Sequence, residues 1–203
     1  FRQLHSRTPG HPEVEIPGIE ATTGPLGQGF GMAVGMATAE SMLRSRVGEL
    51  IDHFTYVVAG DGDFQEPIVL GSASMAGHWG LSRLIVFYDS NNAQISGKVD
   101  RSDSSNYAQI FEGFGWHVQE IDGHNHEEIR EALEKAQVVD RPSLIIGTTI
   151  MAKGSATMEG DHETHGAPLP QDEINQTKEK LGLPLESFYL PNEVISHFQK
   201  RFS

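Results

Sequence analysis

The chain has 203 residues, enough for one sizeable core, and sets 28 Asp and Glu against 15 Lys and Arg for a net charge of −13. That balance excludes a nucleic-acid surface, which needs clustered Lys and Arg, and no apolar run approaches the roughly 18 residues of a membrane span. The absence of cysteine rules out a disulfide framework and fits a reducing, cytoplasmic setting.

The chain opens on Phe1 with no secretory signal, and so reads as processed or as a piece of something longer. Gly24-Pro25 precedes a helical run over 26–44, with Pro where a first turn tolerates it. Within that run Gly27, Gly31 and Gly35 share one face, smooth enough for close packing of another helix or a cofactor. A strand is expected over 54–60, a helix over 67–77 and a second strand over 84–89. Residues 106–114 read as a short helix and 117–121 as a strand. Asn125 and Glu128 make a capping-box start for a helix running to 138, and 142–151 is another apolar, β-branched run. Residues 152–170, rich in Gly, Ser, His and Pro, read as a loop, with two short helices over 171–181 and 191–202. This alternation predicts an α/β fold, a parallel β-sheet flanked by helices on both faces. Residues 1–203 are expected to form one domain, with 171–203 as a helical C-terminal extension.

The chemistry concentrates at the ends of two of these strands. Gly60-Asp-Gly62 closes the first, and Asn91-Asn92 follows the second. In parallel sheets ligands bind beyond the carboxyl ends of the strands, where both pieces fall. An Asp61 carboxylate, an Asn91 amide oxygen and the carbonyl of Ala93 make an oxygen set for Mg²⁺, with remaining positions left to water and phosphate. Gly60 and Gly62 leave room for a phosphate beside the backbone. In so acidic a domain a diphosphate needs such a cation to offset charge. A calcium loop starting at Asp61 fails, because its sixth and twelfth positions hold Glu66 and Ser72 instead of Gly and Glu. No Gly-x-Gly-x-x-Gly follows the first strand, which argues against a nicotinamide dinucleotide.

Three further motifs are Thr8-Pro-Gly-His-Pro-Glu13, Thr22-Thr-Gly-Pro-Leu-Gly-Gln-Gly29 and His162-Glu-Thr-His-Gly-Ala-Pro-Leu169. With Gly60-Asp-Gly62 and Asn91-Asn92, in this order, they resemble the transketolase family over roughly residues 1–170. The resemblance implies thiamine diphosphate as cofactor with Mg²⁺, for which Ca²⁺ or Mn²⁺ can substitute. It implies metal ligation by Asp61, Asn91 and Ala93, and diphosphate contacts from Gly60, Gly62 and Asn91. Gly24, Pro25 and Leu26 would line the rings of the cofactor. His165 resembles the family's histidine between diphosphate and substrate, and His11 the one facing the donor sugar's hydroxyls. Glu66 resembles a carboxylate at a dimer interface. Of the ten histidines most read as surface residues, among them His53, His78, His117 and His197, with His162 undecided between site and loop.

The implied activity is transfer of a two-carbon ketol unit from a ketose phosphate to an aldose phosphate, in a homodimer whose second subunit supplies the pyrimidine-binding domain. The family's first domain begins about a hundred residues earlier, so the chain as given is expected to be inactive alone. Other thiamine-diphosphate enzymes stay open, such as dihydroxyacetone synthase or a 2-oxo-acid decarboxylating component, as does a non-catalytic assembly or regulatory module. Three departures stand out. Asp63 replaces a common Cys and adds charge near the metal, Gly71 replaces a second interface Glu, and Lys153 occupies a stretch that is usually Gly or aromatic.

Overall fold

The computed structural model describes residues 2–95 and 97–202. They gather into two compact units, 1–149 and 150–203. The first contains α1 (Gln28–Val47), β1 (Thr55–Gly60), α2 (Asp61–Phe64), α3 (Pro67–His78), β2 (Leu84–Ser90), β3 (Ala93–Gln94), β4 (Gly97–Lys98), α4 (Tyr107–Gly113), β5 (His117–Asp122), α5 (His126–Val138) and β6 (Ser143–Thr148). The second holds a loop with one turn of 3₁₀ helix (His162–Thr164), then α6 (Gln171–Lys180) and α7 (Asn192–Phe202).

Four strands form a fully parallel sheet in the order β1-β2-β6-β5, and β3 and β4 pair antiparallel beside it. The central strand β2 reads as an unbroken apolar run because both its faces are covered. Its Leu84, Val86 and Tyr88 point into the larger core with α1, α3 and α4, while Ile85 and Phe87 meet Ala132 and Ala136 of α5. The expected α/β architecture, helices on both faces of a parallel sheet, is therefore the observed one. An aromatic cluster fills the larger core, with Phe64 stacked on Tyr88 at 4.0 Å and meeting Tyr107 edge-on at 5.1 Å. Trp116 closes it by donating from Nε1 to the Ala73 carbonyl at 2.8 Å.

The helical face of small residues on α1 does pack closely, for two of its three glycines. A Cβ on Gly27 would stand 2.6 Å from Ile68 of α3, and one on Gly31 would touch Ile68 and Ser72. Gly35 faces open space. Local sequence explains the boundaries. Asn125 accepts from the amides of Glu127 and Glu128 to start α5, and Asn106 accepts from Gln109 to start α4. The run over 142–151 is strand only from Ser143 to Thr148. Helix α1 begins at Gln28 rather than 26, since Gly27 takes a left-handed N-cap conformation. The short α2 and the β3–β4 pair have no periodic pattern in the sequence and were not anticipated.

The second unit is organised by one buried carboxylate. Glu173 accepts from the Thr157 amide and hydroxyl, each at 2.7 Å, and from the Met158 amide at 3.2 Å. These donors, the Thr157 amide foremost, hold its carboxyl below the ordinary 4.5. A carboxyl whose folded-state pKa is depressed stabilises the fold above its unfolded value, and that stabilisation is lost as pH falls through the folded value. Exchange at Thr157 and Met158, taken against the intrinsic rate at each pH, is accordingly expected to lose protection on acidification below 4.5. In Glu173→Gln it is fast already at neutral pH. Equal protection in the two proteins at neutral pH would refute this role.

Candidate cofactor site

The register of the sheet assembles the first part of the site. Gly60 of β1 lies opposite Asp89 of β2, so the chain leaves both strands side by side, delivering Asp61 and Asn91 to one point. The Asp61 carboxylate is 5% exposed. Its Oδ1 accepts from the Tyr88 hydroxyl at 2.7 Å and its Oδ2 from the Asn91 amide at 3.1 Å. Burial, and then the Asp61 hydrogen bond, push the Tyr88 phenol far above its usual range, so it remains a proton donor.

Asn91 is fixed at both ends of its carboxamide. Nδ2 donates to Asp89 at 3.3 Å, and Oδ1 accepts from the Ala93 amide at 2.9 Å. Asp89 is held in turn by the Thr149 hydroxyl. A second polar group ties down the β3–β4 pair. Gln65 donates to Gln94 at 3.2 Å, Gln94 donates to Ser102 at 2.8 Å, and Ser102 donates back to Gln65 at 3.2 Å. Gln65 also reaches the Asp61 carbonyl at 3.3 Å, so Ala93 and Asp61 share one support.

The oxygen types present fit a hard cation. Asp61 offers a carboxylate, Asn91 an amide oxygen and Ala93 a main-chain carbonyl. Among the described residues no group of three or more His, Cys, Asp or Glu could hold a metal. A set with a single carboxylate leaves room for phosphate and water, which is how Mg²⁺ is commonly bound. Space fits as well, since a Cβ on Gly60 would meet nothing within 4 Å.

The second part of the site is the loop ahead of α1. Gly24 takes φ +142°, a conformation that side chains rarely adopt, and a Cβ there would stand 2.9 Å from the His11 ring. His11, Gly24, Pro25, Leu26, Phe30 and Asp63 are among the residues lining a cavity of about 440 Å³. Leu26 also abuts Gly62, where a Cβ would be 3.2 Å from its side chain. Asp63 does not direct its charge at the metal ligands. Its Oδ1 accepts from the Gly27 amide at 2.8 Å and its Oδ2 from the Gly60 amide at 2.9 Å.

Glu66 sits at the N-cap of α3, half-buried, with no side-chain cap bond. Gly71, one turn further on, has open space at its Cβ position. His165 belongs to the second unit, where it follows the 3₁₀ turn and is exposed, its amide bonded to the His162 carbonyl at 3.0 Å. His162 lies 3.6 Å from Asp161. Lys153 pairs with Glu159 at 3.2 Å.

Comparison with known proteins places the chain in a family. The family model described as the thiamine diphosphate binding domain of transketolase matches residues 1–203. The chain belongs to the transketolase family. It is 50% identical over 202 residues to the transketolase of Sinorhizobium medicae, covering 98% of this chain and 29% of that protein. It is 47% identical to that of Geobacillus stearothermophilus, with 98% and 31% covered. The crystal structure of Campylobacter jejuni transketolase superposes with a TM-score of 0.95 at 46% identity, covering 98% of this chain and 32% of that one. A Pichia stipitis transketolase solved in complex with sedoheptulose 7-phosphate gives 0.93 at 38% identity, with 98% and 31% covered. The chain thus spans about a third of the length of its transketolase relatives.

Motif reading within this transketolase chain passed over the supporting residues. Tyr88, Asp89, Gln65 and Gln94 carry no motif. Tyr88 did leave one sign, since a tyrosine inside an apolar strand must find a partner for its hydroxyl when buried.

Proposed function

We propose that the chain is the diphosphate- and metal-holding part of a transketolase that moves a two-carbon ketol unit from a ketose phosphate to an aldose phosphate. We take 1–203 as one functional cofactor domain with 171–203 as its helical extension. The reading is supported above all by the pairing of Gly60 with Asp89, which sets a buried Asp61 against Asn91 at the carboxyl end of the sheet.

In this proposal Asp61, Asn91 and the Ala93 carbonyl hold Mg²⁺, and Gly60, Gly62 and Asn91 receive the diphosphate. Gly24, Pro25 and Leu26 form the wall beside the rings. When bound, thiamine diphosphate supplies the nucleophilic carbon and the electron sink for breaking and remaking a carbon–carbon bond. The protein's part is orientation and proton handling. Tyr88 keeps Asp61 aimed, and Asp89 fixes the Asn91 carboxamide. His11, on the wall of the same cavity, is suited to face a substrate hydroxyl and hydrogen-bond to it through a ring nitrogen. The role of His165, donating to diphosphate and substrate, rests on its motif. Sugar-phosphate substrates, a homodimer with Glu66 at its interface, a pyrimidine domain from the second subunit and a cytoplasmic setting complete the proposal.

Calorimetric titration with thiamine diphosphate, in Mg²⁺ and then in EDTA, tests it. Binding that requires the metal is expected. Binding indifferent to EDTA, or none at all, would count against the chain as a metal-dependent cofactor holder.

A further inference from the structure

We propose that Asp63 is a positioning residue that ties the loop ahead of α1 to the junction of β1 and α2, and so keeps the two walls of the cofactor site in register. The identity of the cofactor rests on the function proposed above; the tie itself does not. Helix α1 has no acidic residue in its first turn and no side-chain cap of its own. Its N-cap amide, on Gly27, finds its acceptor 36 residues away, on Asp63 Oδ1. The other oxygen of the same carboxylate takes the amide of Gly60, the N-cap of α2. One carboxylate therefore serves two helix N-termini, where negative charge is favourable and hydrogen bonds to an ionised acceptor are strong.

The placement matters because of what each amide belongs to. Gly27 directly follows Gly24, Pro25 and Leu26, and Gly60 directly precedes Asp61 and Gly62. Without the carboxylate those segments would meet through the contact of Leu26 with Gly62, and through Gly27 wedged against Ile68 and Glu66. Apolar contacts of this kind set a distance but not a direction. Two hydrogen bonds to one carboxylate, at 2.8 and 2.9 Å, set both. The Cys that the family resemblance leads one to expect at this position could not do the same, since a thiol is a weak acceptor. Asp63 thereby acts on the cofactor through two backbone segments rather than by touching it.

Amide hydrogen exchange on the 203-residue chain without ligand tests the tie first, and needs no variant to fold. Gly27 and Gly60 should be protected, and lack of protection at either overturns the proposal. In Asp63→Cys both amides, and in Asp63→Asn the one facing the new NH₂ group, should exchange at least about tenfold faster, while Val86 and Ile145 in the sheet keep their protection. Positioning is tested by two titrations in Mg²⁺. Affinity for thiamine diphosphate, which needs both walls, should fall about tenfold or more. Affinity for inorganic pyrophosphate, which needs only the Asp61–Asn91 end, should change less than about threefold. Equal losses for both ligands, or no loss for either, would reduce Asp63 to a structural residue and refute positioning. If the unsubstituted chain bound neither ligand, the proposed function would fall, and the exchange rates alone would decide the tie.

Discussion

Replacing Asp61 by alanine is expected to abolish Mg²⁺-dependent binding of thiamine diphosphate, a loss of about a hundredfold or more, since even the supports of metal ligands are worth ten- to a hundredfold. The carboxylate is the sole charged group of the donor set, and the carboxylates closest to it in the site, Asp63 and Asp89, are engaged by the Gly27 and Gly60 amides and by Asn91 and Thr149. The change also has a cost in stability. It leaves the buried Tyr88 hydroxyl and the Asn91 amide without their acceptor, at about 1–3 kcal/mol for each group that stays dry. Asp61→Asn separates the two effects. Its amide oxygen can still accept from Tyr88, so much of the stability should be retained, whereas the charge and the metal are lost. Calorimetry with and without Mg²⁺ reads the first effect, and thermal melting the second. Unchanged cofactor affinity in either variant would remove Asp61 from the metal site.

The largest effect on stability is expected from Phe64→Ala, at about 3–5 kcal/mol. Phe64 is fully buried, stacks on Tyr88 and lies edge-on to Phe30 and Tyr107, with centroids at 6.3 and 5.1 Å. Its ring neighbours come from a long helix, a short helix and a central strand, which cannot all close in on the space left behind. Phe64→Leu, keeping most of the volume, should cost about 1.5 kcal/mol or less. The measurement is the denaturant midpoint at unchanged m-value, which reports stability without a change in the unfolded chain. Because the ring stacks on Tyr88, the alanine variant should also loosen the donor to Asp61 and weaken cofactor binding. A double-mutant cycle with Tyr88→Phe would show this as non-additivity. Additive losses would mean that the core and the site are independent.

Much of the fold was legible because strong periodic signals decide it. The unbroken apolar run of β2 required cover on both faces, and Asn125 with Glu128 marked the start of α5 by a local mechanism. The metal-ligand candidates were legible for a different reason. Glycine and a lone carboxylate at a strand end have few structural uses, and two such ends close in a parallel sheet suggest a shared ligand. Asp63 shows where this reasoning stops. Its neighbours in sequence suggest charge near a cation, yet its hydrogen bonds go to amides of two helix starts, one of them 36 residues away. Nothing in local pattern encodes a partner at that separation. The same holds for Gln65, Gln94 and Ser102, ordinary polar residues until the fold brings them into one ring. The β3–β4 pair escaped notice because two-residue strands carry no period.

One margin of the sheet shapes how the chain behaves with its own kind. Strand β1 lies at the edge, with no strand beyond it among the described residues, and Tyr56 and Val58 on it are 53% and 79% exposed. Every second peptide group of β1 faces outward. Such a margin is a template, and natural proteins blunt it with charge, proline or a covering segment. None of these devices occurs within Thr55–Gly60 itself. Left bare, it would offer an extended segment of another chain a row of outward-facing N–H and C=O groups to pair with.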